Sequence, residues 1–170
     1  MLAPDPFRNL DELVRRVYAY AAYRLGDGPD ADDITSETFA RAFRRRETYD
    51  AAKGPPIAWL LGIARRCIGE ATAARAFPSP VDERAVAASF EEAVLRRIEV
   101  ARAVAALSAR ERELVALRYG ADLTARQIGE LVGMRTNAVE VALHRALGEL
   151  RLLLAPPEAD DDLRVVTQPL

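Results

Sequence analysis

The chain has 170 residues, with 24 lysines and arginines against 26 aspartates and glutamates and an apolar half led by alanine, leucine and valine. That length holds one medium domain or two small ones, and a net charge of -2 drawn from two large interspersed populations excludes a strong global field, so any nucleic-acid binding has to be local. A single cysteine, Cys67, excludes an internal disulfide framework and any multi-cysteine metal site, and a single histidine, His144, excludes a histidine-rich one.

The opening residues MLAPDPFRNLDELVRR lack the basic, apolar, small-residue order of a secretory signal, and no apolar run approaches the ~20 residues of a membrane span. The expected protein has no membrane association and sits in the cytoplasm. There is no glycine-rich phosphate cradle, nucleophile elbow or acid pair at a workable spacing, so neither catalysis, a metal nor a cofactor is expected. β-Branched alternation is nearly absent, which predicts an all-α chain.

In chain order, Phe7 to Leu25 places Leu10, Leu13, Val14, Val17, Tyr18, Ala21 and Ala22 at helical spacing, and Gly26-Asp27-Gly28-Pro29 stops that helix. A second helix is expected after Asp30, with Ile34, Thr38, Phe39, Ala42 and Phe43 on its apolar face, acids in its first turn and arginines in its last, an order that suits the helix dipole. The stretch Glu47 to Gly54 leaves the pattern as an exposed loop. Pro55-Pro56 opens a third helix through Ile57, Trp59, Leu60, Leu61, Ile63, Ala64 and Ile68, and Cys67 fits its buried face as a small apolar residue. The proline-bearing stretch 77–92 reads as a linker, which makes residues 1–76 one helical domain and 93–154 a second. From Pro156 onward the chain is polar and acidic, four acids against one arginine, and 155–170 is expected to be a flexible tail.

In the second domain, Ser108-Ala109-Arg110-Glu111 and Thr124-Ala125-Arg126-Gln127 are capping boxes that start two helices, and a third, longer helix follows Gly133 from Thr136. Helix, turn with glycine, helix is the layout of a DNA-reading unit. In such a unit Ile128, Leu131, Val139 and Leu143 fix the angle between two helices. Arg135, Thr136, Asn137 and Glu140 then face a major groove, and Arg145 and Arg151 are within reach of phosphates. An ordinary helical hairpin in a bundle is the competing reading. His144 has no second ligand at metal-binding spacing and is expected to be a surface or packing residue.

These residues resemble a family. Ala31-Asp32-Asp33-Ile34-Thr35-Ser36-Glu37-Thr38-Phe39-Ala40-Arg41-Ala42-Phe43, Ala58-Trp59-Leu60-Leu61-Gly62-Ile63-Ala64-Arg65-Arg66, Leu107-Ser108-Ala109-Arg110-Glu111-Arg112 and Leu143-His144-Arg145-Ala146-Leu147 occur in the order of an extracytoplasmic-function sigma factor, and the match runs from Phe7 to Leu154. The resemblance implies two small helical domains joined by a linker, the second holding the helix-turn-helix. It also implies a free monomer whose partners are core RNA polymerase, promoter DNA and an anti-sigma protein.

The resemblance further implies that Asp32, Asp33, Glu37, Phe39 and Arg41 dock on the polymerase clamp. Arg44, Arg45, Tyr49, Lys53, Trp59, Arg65 and Arg66 would serve the minus-ten element, with a base flipped into the 47–54 loop, although Trp59 also fits a packing role. Arg126, Arg135, Thr136, Asn137, Glu140, His144 and Arg145 would serve the minus-thirty-five element. The chain departs from the family pattern at Arg66, where asparagine is common, and at Glu140, where a basic residue is common. Few basic residues mean little counterion release and weak binding to free DNA. Two alternatives stay open, a stand-alone helix-turn-helix regulator and a sigma-like interaction protein with weakened promoter activity.

Overall fold

The computed structural model describes residues 5–74 and 92–155, with backbone alone for 92–94. The expected linker, apart from its last residue, and the expected tail, apart from its first, lie outside the described residues. Seven α-helices account for most of the described chain: α1 (Leu10–Leu25), α2 (Pro29–Arg44), α3 (Pro56–Ala74), α4 (Glu92–Ala106), α5 (Ala109–Val115), α6 (Ala125–Val132) and α7 (Thr136–Leu153). Two single 3-10 turns, Arg46–Thr48 and Ala51–Lys53, break the loop between α2 and α3, and α5 runs directly into a π-helical turn, Ala116–Gly120. The all-α expectation of two helical domains, the second with a helix-turn-helix, holds.

Two helix starts differ from the sequence reading. The first helix begins at Leu10 rather than Phe7, because residues 6–9 form a turn. The second begins at Pro29 rather than after Asp30. Proline's fixed φ suits the first helical position, where its missing N–H has no partner to lose, and Asp30 and Asp32 then fall in the first turn.

The first domain is a three-helix unit. Leu13, Val17, Tyr20 and Ala21 of α1 meet Ala31, Ile34, Phe39 and Ala42 of α2 and Ile57, Leu60, Leu61, Ala64 and Ile68 of α3, all buried. Two threonines share this interior because each hydroxyl donates to the carbonyl one turn back, Thr35 to Ala31 and Thr38 to Ile34, both at 2.7 Å.

The second domain is organised by its caps. Ser108 and Glu111 form one reciprocal box at the start of α5, and Thr124 with Gln127 forms the other at the start of α6. Gly133, at φ 72°, ends α6. Ile128 and Leu131 of α6 and Val139 and Leu143 of α7, the two helices of the reading unit, all turn inward, with Ile128 and Val139 fully buried, Leu143 buried and Leu131 half-buried. Leu114, Val115, Leu117 and Leu123 complete this core.

The two domains are packed on each other through α1 and the π turn. Gly120 makes that approach possible: a Cβ there would stand 2.9 Å from the Ala19 carbonyl oxygen and 3.0 Å from Tyr20 Cα, closer than real Cβ contacts come. The buried apolar residues of both halves join in one continuous cluster.

Candidate nucleic-acid interface

The acidic edge of α2 is exposed at Asp32 and Asp33 and half-buried at Glu37. Glu37 is already engaged, since Arg41 Nε lies 2.6 Å from its Oε1 and Arg44 Nη2 3.7 Å from the same atom. Arg41 also reaches α3 through Glu70 Oε2 at 2.7 Å. The Arg41 hydrogen bond pulls the Glu70 carboxyl below its ordinary value, and the two carboxylates hold the Arg41 guanidinium more firmly charged. Phe39, expected on the docking edge, is instead 7% exposed in the core. The helical phase that buries Thr35, Thr38 and Ala42 takes Phe39 inward, and Phe43, 48% exposed, is the outer aromatic.

Phe43 belongs to an aromatic row. Its ring centroid is 4.2 Å from Phe7, Phe7 is 6.2 Å from Trp59, and Trp59 is 5.5 Å from Tyr49. Trp59 is half-buried, packed and yet reachable. The 46–54 loop is held by Asp50, which caps the Ala52 N–H at 3.0 Å, and by Tyr49, whose hydroxyl donates to the Gly54 carbonyl at 3.2 Å. Burial pushes the Tyr49 phenol above its ordinary value. Beneath the loop lies a cavity of about 320 Å³ lined by Arg45, Thr48, Trp59, Gly62, Ile63 and Arg66. An aromatic wall with guanidinium groups at the rim suits a planar anionic guest such as a nucleotide.

Arg44, Arg45, Lys53 and Arg66 are exposed around this loop, with Lys53 3.8 Å from Asp50 in a solvated pair. Arg65, expected beside them, points elsewhere. Its Nε lies 2.9 Å from Glu113 Oε1 and its Nη1 donates to the Leu131 carbonyl at 3.0 Å, so it is committed to the second domain. Cys67 is buried, and that burial pushes its thiol above the ordinary value despite nearby Arg41.

In the second domain, α7 presents an open N-terminal face. Arg135, Thr136, Asn137, Glu140, His144 and Arg145 are all exposed, and Asn137, Glu140, Val141 and His144 follow the three-and-four spacing of one helix face. Val141, 53% exposed, is an apolar member of that face, suited to a thymine methyl. Arg126, on α6, is exposed and pairs with Glu130 at 3.7 Å. Among the described residues no group of three or more His, Cys, Asp and Glu could hold a metal, and no helix is long and apolar enough to cross a membrane.

Four residues that sequence reading left out meet between the domains. Tyr20 donates its hydroxyl to Glu113, 3.0 and 3.1 Å from the two carboxylate oxygens, and Arg24 pairs with Glu113 Oε2. Arg16 donates from Nε to the Ala121 carbonyl at 2.8 Å and from Nη2 to the Asp122 carbonyl at 3.2 Å. The Glu113 side chain is 12% exposed and receives Tyr20, Arg24 and Arg65 at once. A groove of about 910 Å³ runs beside it between α3 and the α5–α6 pair, lined among others by Arg66, Thr72, Arg110 and Met134.

Comparison with known proteins bears on both faces. Residues 10–76 match the family model for sigma-70 region 2, and residues 97–150 match that for sigma-70 region 4. The chain is 32% identical over 160 residues to the ECF RNA polymerase sigma factor BldN of Streptomyces coelicolor, covering 88% of this chain and 61% of BldN. It is 30% identical over 151 residues to the ECF RNA polymerase sigma factor SigL of Mycobacterium tuberculosis, covering 85% of each. In fold it is similar to the sigma factor RpoE of Bartonella quintana, solved with the anti-sigma factor NepR, at a TM-score of 0.68 and 19% identity over 86% of this chain and 94% of that one. It is also similar to CnrH, solved with the cytosolic domain of CnrY, at 0.59 and 22% over 86% and 82%.

Proposed function

Because the chain belongs to the extracytoplasmic-function RNA polymerase sigma factors of the sigma-70 family, we propose that it binds core polymerase through α2 and reads promoter DNA with its two domains. Asp32 and Asp33 offer a solvated acidic edge to a basic surface of the enzyme, and Arg41 positions Glu37 beside them. The loop cavity beneath Thr48 and beside Trp59 receives an unpaired minus-ten base, with Tyr49 bracing the wall and Arg44, Arg45, Lys53 and Arg66 on the backbone. The α7 face bearing Arg135, Thr136, Asn137, Glu140, His144 and Arg145 enters the minus-thirty-five major groove, with Arg126 toward phosphate. The chain supplies recognition, and polymerization remains with the enzyme it joins.

The observation that carries this reading is the exposure, in one chain, of both a nucleotide-sized loop cavity and an uncovered recognition-helix N-terminus. Glu140 and the small number of uncommitted arginines keep affinity for free duplex low. Binding therefore depends on the polymerase presenting both elements at once, where the second contact becomes intramolecular. The RpoE complex with the anti-sigma factor NepR supports an anti-sigma protein as a further partner, and the complex of CnrH with the cytosolic domain of CnrY supports the cytoplasm as the place of action. No specific observation favours the stand-alone regulator or the weakened interaction protein.

The test is retention of core RNA polymerase on the tagged chain. Retention by wild type and its loss in a D32A/D33A variant supports α2 as the docking edge. A folded wild-type chain that retains no polymerase overturns the reading.

A further inference from the structure

The closed arrangement of the two domains cannot be the one that reads a promoter. Elements centred ten and thirty-five base pairs upstream lie about 25 base pairs apart, or about 85 Å along B-form DNA at ~3.4 Å per pair. A compact chain of 170 residues has a radius of gyration of roughly 15 Å, hence a diameter of about 40 Å. The covalent reach of residues 75–91 is at most about 60 Å, so separated domains can span the distance while packed ones cannot. The contacts between α1, α3 and the second domain must break first.

Those contacts are specific. Glu113 takes Tyr20, Arg24 and Arg65 from the first domain, while Arg65 also donates to the Leu131 carbonyl on α6. Arg65 is one of the cations of the minus-ten helix, and in the closed form its Nε faces an anionic oxygen at 2.9 Å, the geometry a DNA phosphate would offer. A phosphate and Glu113 cannot hold the same donor. Gly120 adds a second, uncharged condition, since the domains close only if nothing projects between the π turn and Ala19.

Resting on the sigma-factor reading of α3, we propose that Glu113 is an internal competitor for promoter phosphate: it occupies Arg65, Arg24 and Tyr20 in a closed, promoter-incompetent form, and opening at the Gly120–α1 contact releases the minus-ten helix. The partner of this surface is the chain's own first domain. Binding to the promoter is then weakened by the fraction of molecules that are closed, and a variant that opens the domains recovers it.

The experiment compares wild type, E113A and G120A by small-angle scattering of the free full-length chain, and by promoter-directed transcription with core polymerase at limiting sigma. Circular dichroism checks that each variant keeps its helices. The expected result is a compact wild type, a larger radius of gyration in both variants, and initial transcription rates raised about threefold or more. Wild type as extended as the variants overturns the closed form. Variants that expand without faster transcription overturn the competition. If no protein directs transcription, the sigma-factor reading fails, and the competitor role that rests on it is overturned too. Scattering then still decides separately whether Glu113 and Gly120 hold the domains closed.

Discussion

Glu113 and Arg65 stand 2.9 Å apart although 48 positions separate them in sequence, and they join the two domains at one carboxylate. Tyr20 completes the cluster from α1. Replacing Tyr20 with phenylalanine keeps the ring and removes only the hydroxyl, so Glu113 loses one charge-assisted donor while Arg24 and Arg65 remain. The expected loss is about 1–2 kcal/mol in urea denaturation. Burial raises the Tyr20 phenol above its ordinary value of 10.0, with Arg24 and Arg65 opposing in part. The native state thus favours the protonated phenol. Its stabilising contribution is complete below pH 10 and falls as pH rises through the native value, so Y20F flattens the alkaline limb of the stability profile.

The angle between α6 and α7 depends on Ile128 and Val139, one on each helix and both fully buried. Ile128→Ala leaves a cavity and is expected to cost about 2–5 kcal/mol. In transcription assays it lowers use of promoters that depend on the minus-thirty-five element more than use of promoters with a strong minus-ten element alone. Equal loss on both contradicts the assignment of α7.

Both capping boxes are local devices, and each has a local cost. Thr124→Ala removes the side-chain oxygen that receives the Gln127 N–H at 3.3 Å, and Ser108→Ala does the same for Glu111 at 3.3 Å. Each is expected to destabilise by about 1 kcal/mol, additively, because the caps share no partner. Thermal melts of the single and double variants check this.

On the acid side, Glu70 is the carboxyl held below its ordinary value of 4.5, first by the Arg41 hydrogen bond. A depressed carboxyl contributes stability that is present above its ordinary value and lost as pH falls through the native one. E70Q is therefore expected to match wild type in acid below that range and to fall short of it at neutral pH, with a shallower acid limb. A pH series of melts reads the difference, which is small because Glu70 is at the surface.

What the sequence made legible was the information carried over three or four residues. Ser108 with Glu111, Thr124 with Gln127, and the acidic and basic ends of α2 all follow from local spacing, and all form. Spacing alone could not separate Phe39 from Phe43, because four residues apart they share one stripe. Only the packing of α1 and α3 sends the first inward and leaves the second beside Phe7.

Glu113 was illegible for a different reason. Within Arg-Glu-Arg-Glu-Leu it reads as one more solvated acid, and its partners Tyr20 and Arg65 lie 93 and 48 positions away. A still longer separation, 105 and 106 positions, hid Arg16, whose guanidinium ends on the Ala121 and Asp122 carbonyls. Arg65 itself was visible as a cation of α3, but its direction is set by a helix that no local pattern connects to it.

The most direct measurement is run-off transcription by core RNA polymerase of the host bacterium on a pool of its own genomic fragments, with and without this chain. The expected result is a set of discrete start sites found only when the chain is present, sharing sequence near minus ten and minus thirty-five, and lost when Asn137 and His144 of α7 are both changed to alanine. Start sites unchanged by the chain, together with tight binding of the free protein to a duplex in the absence of polymerase, would contradict the account.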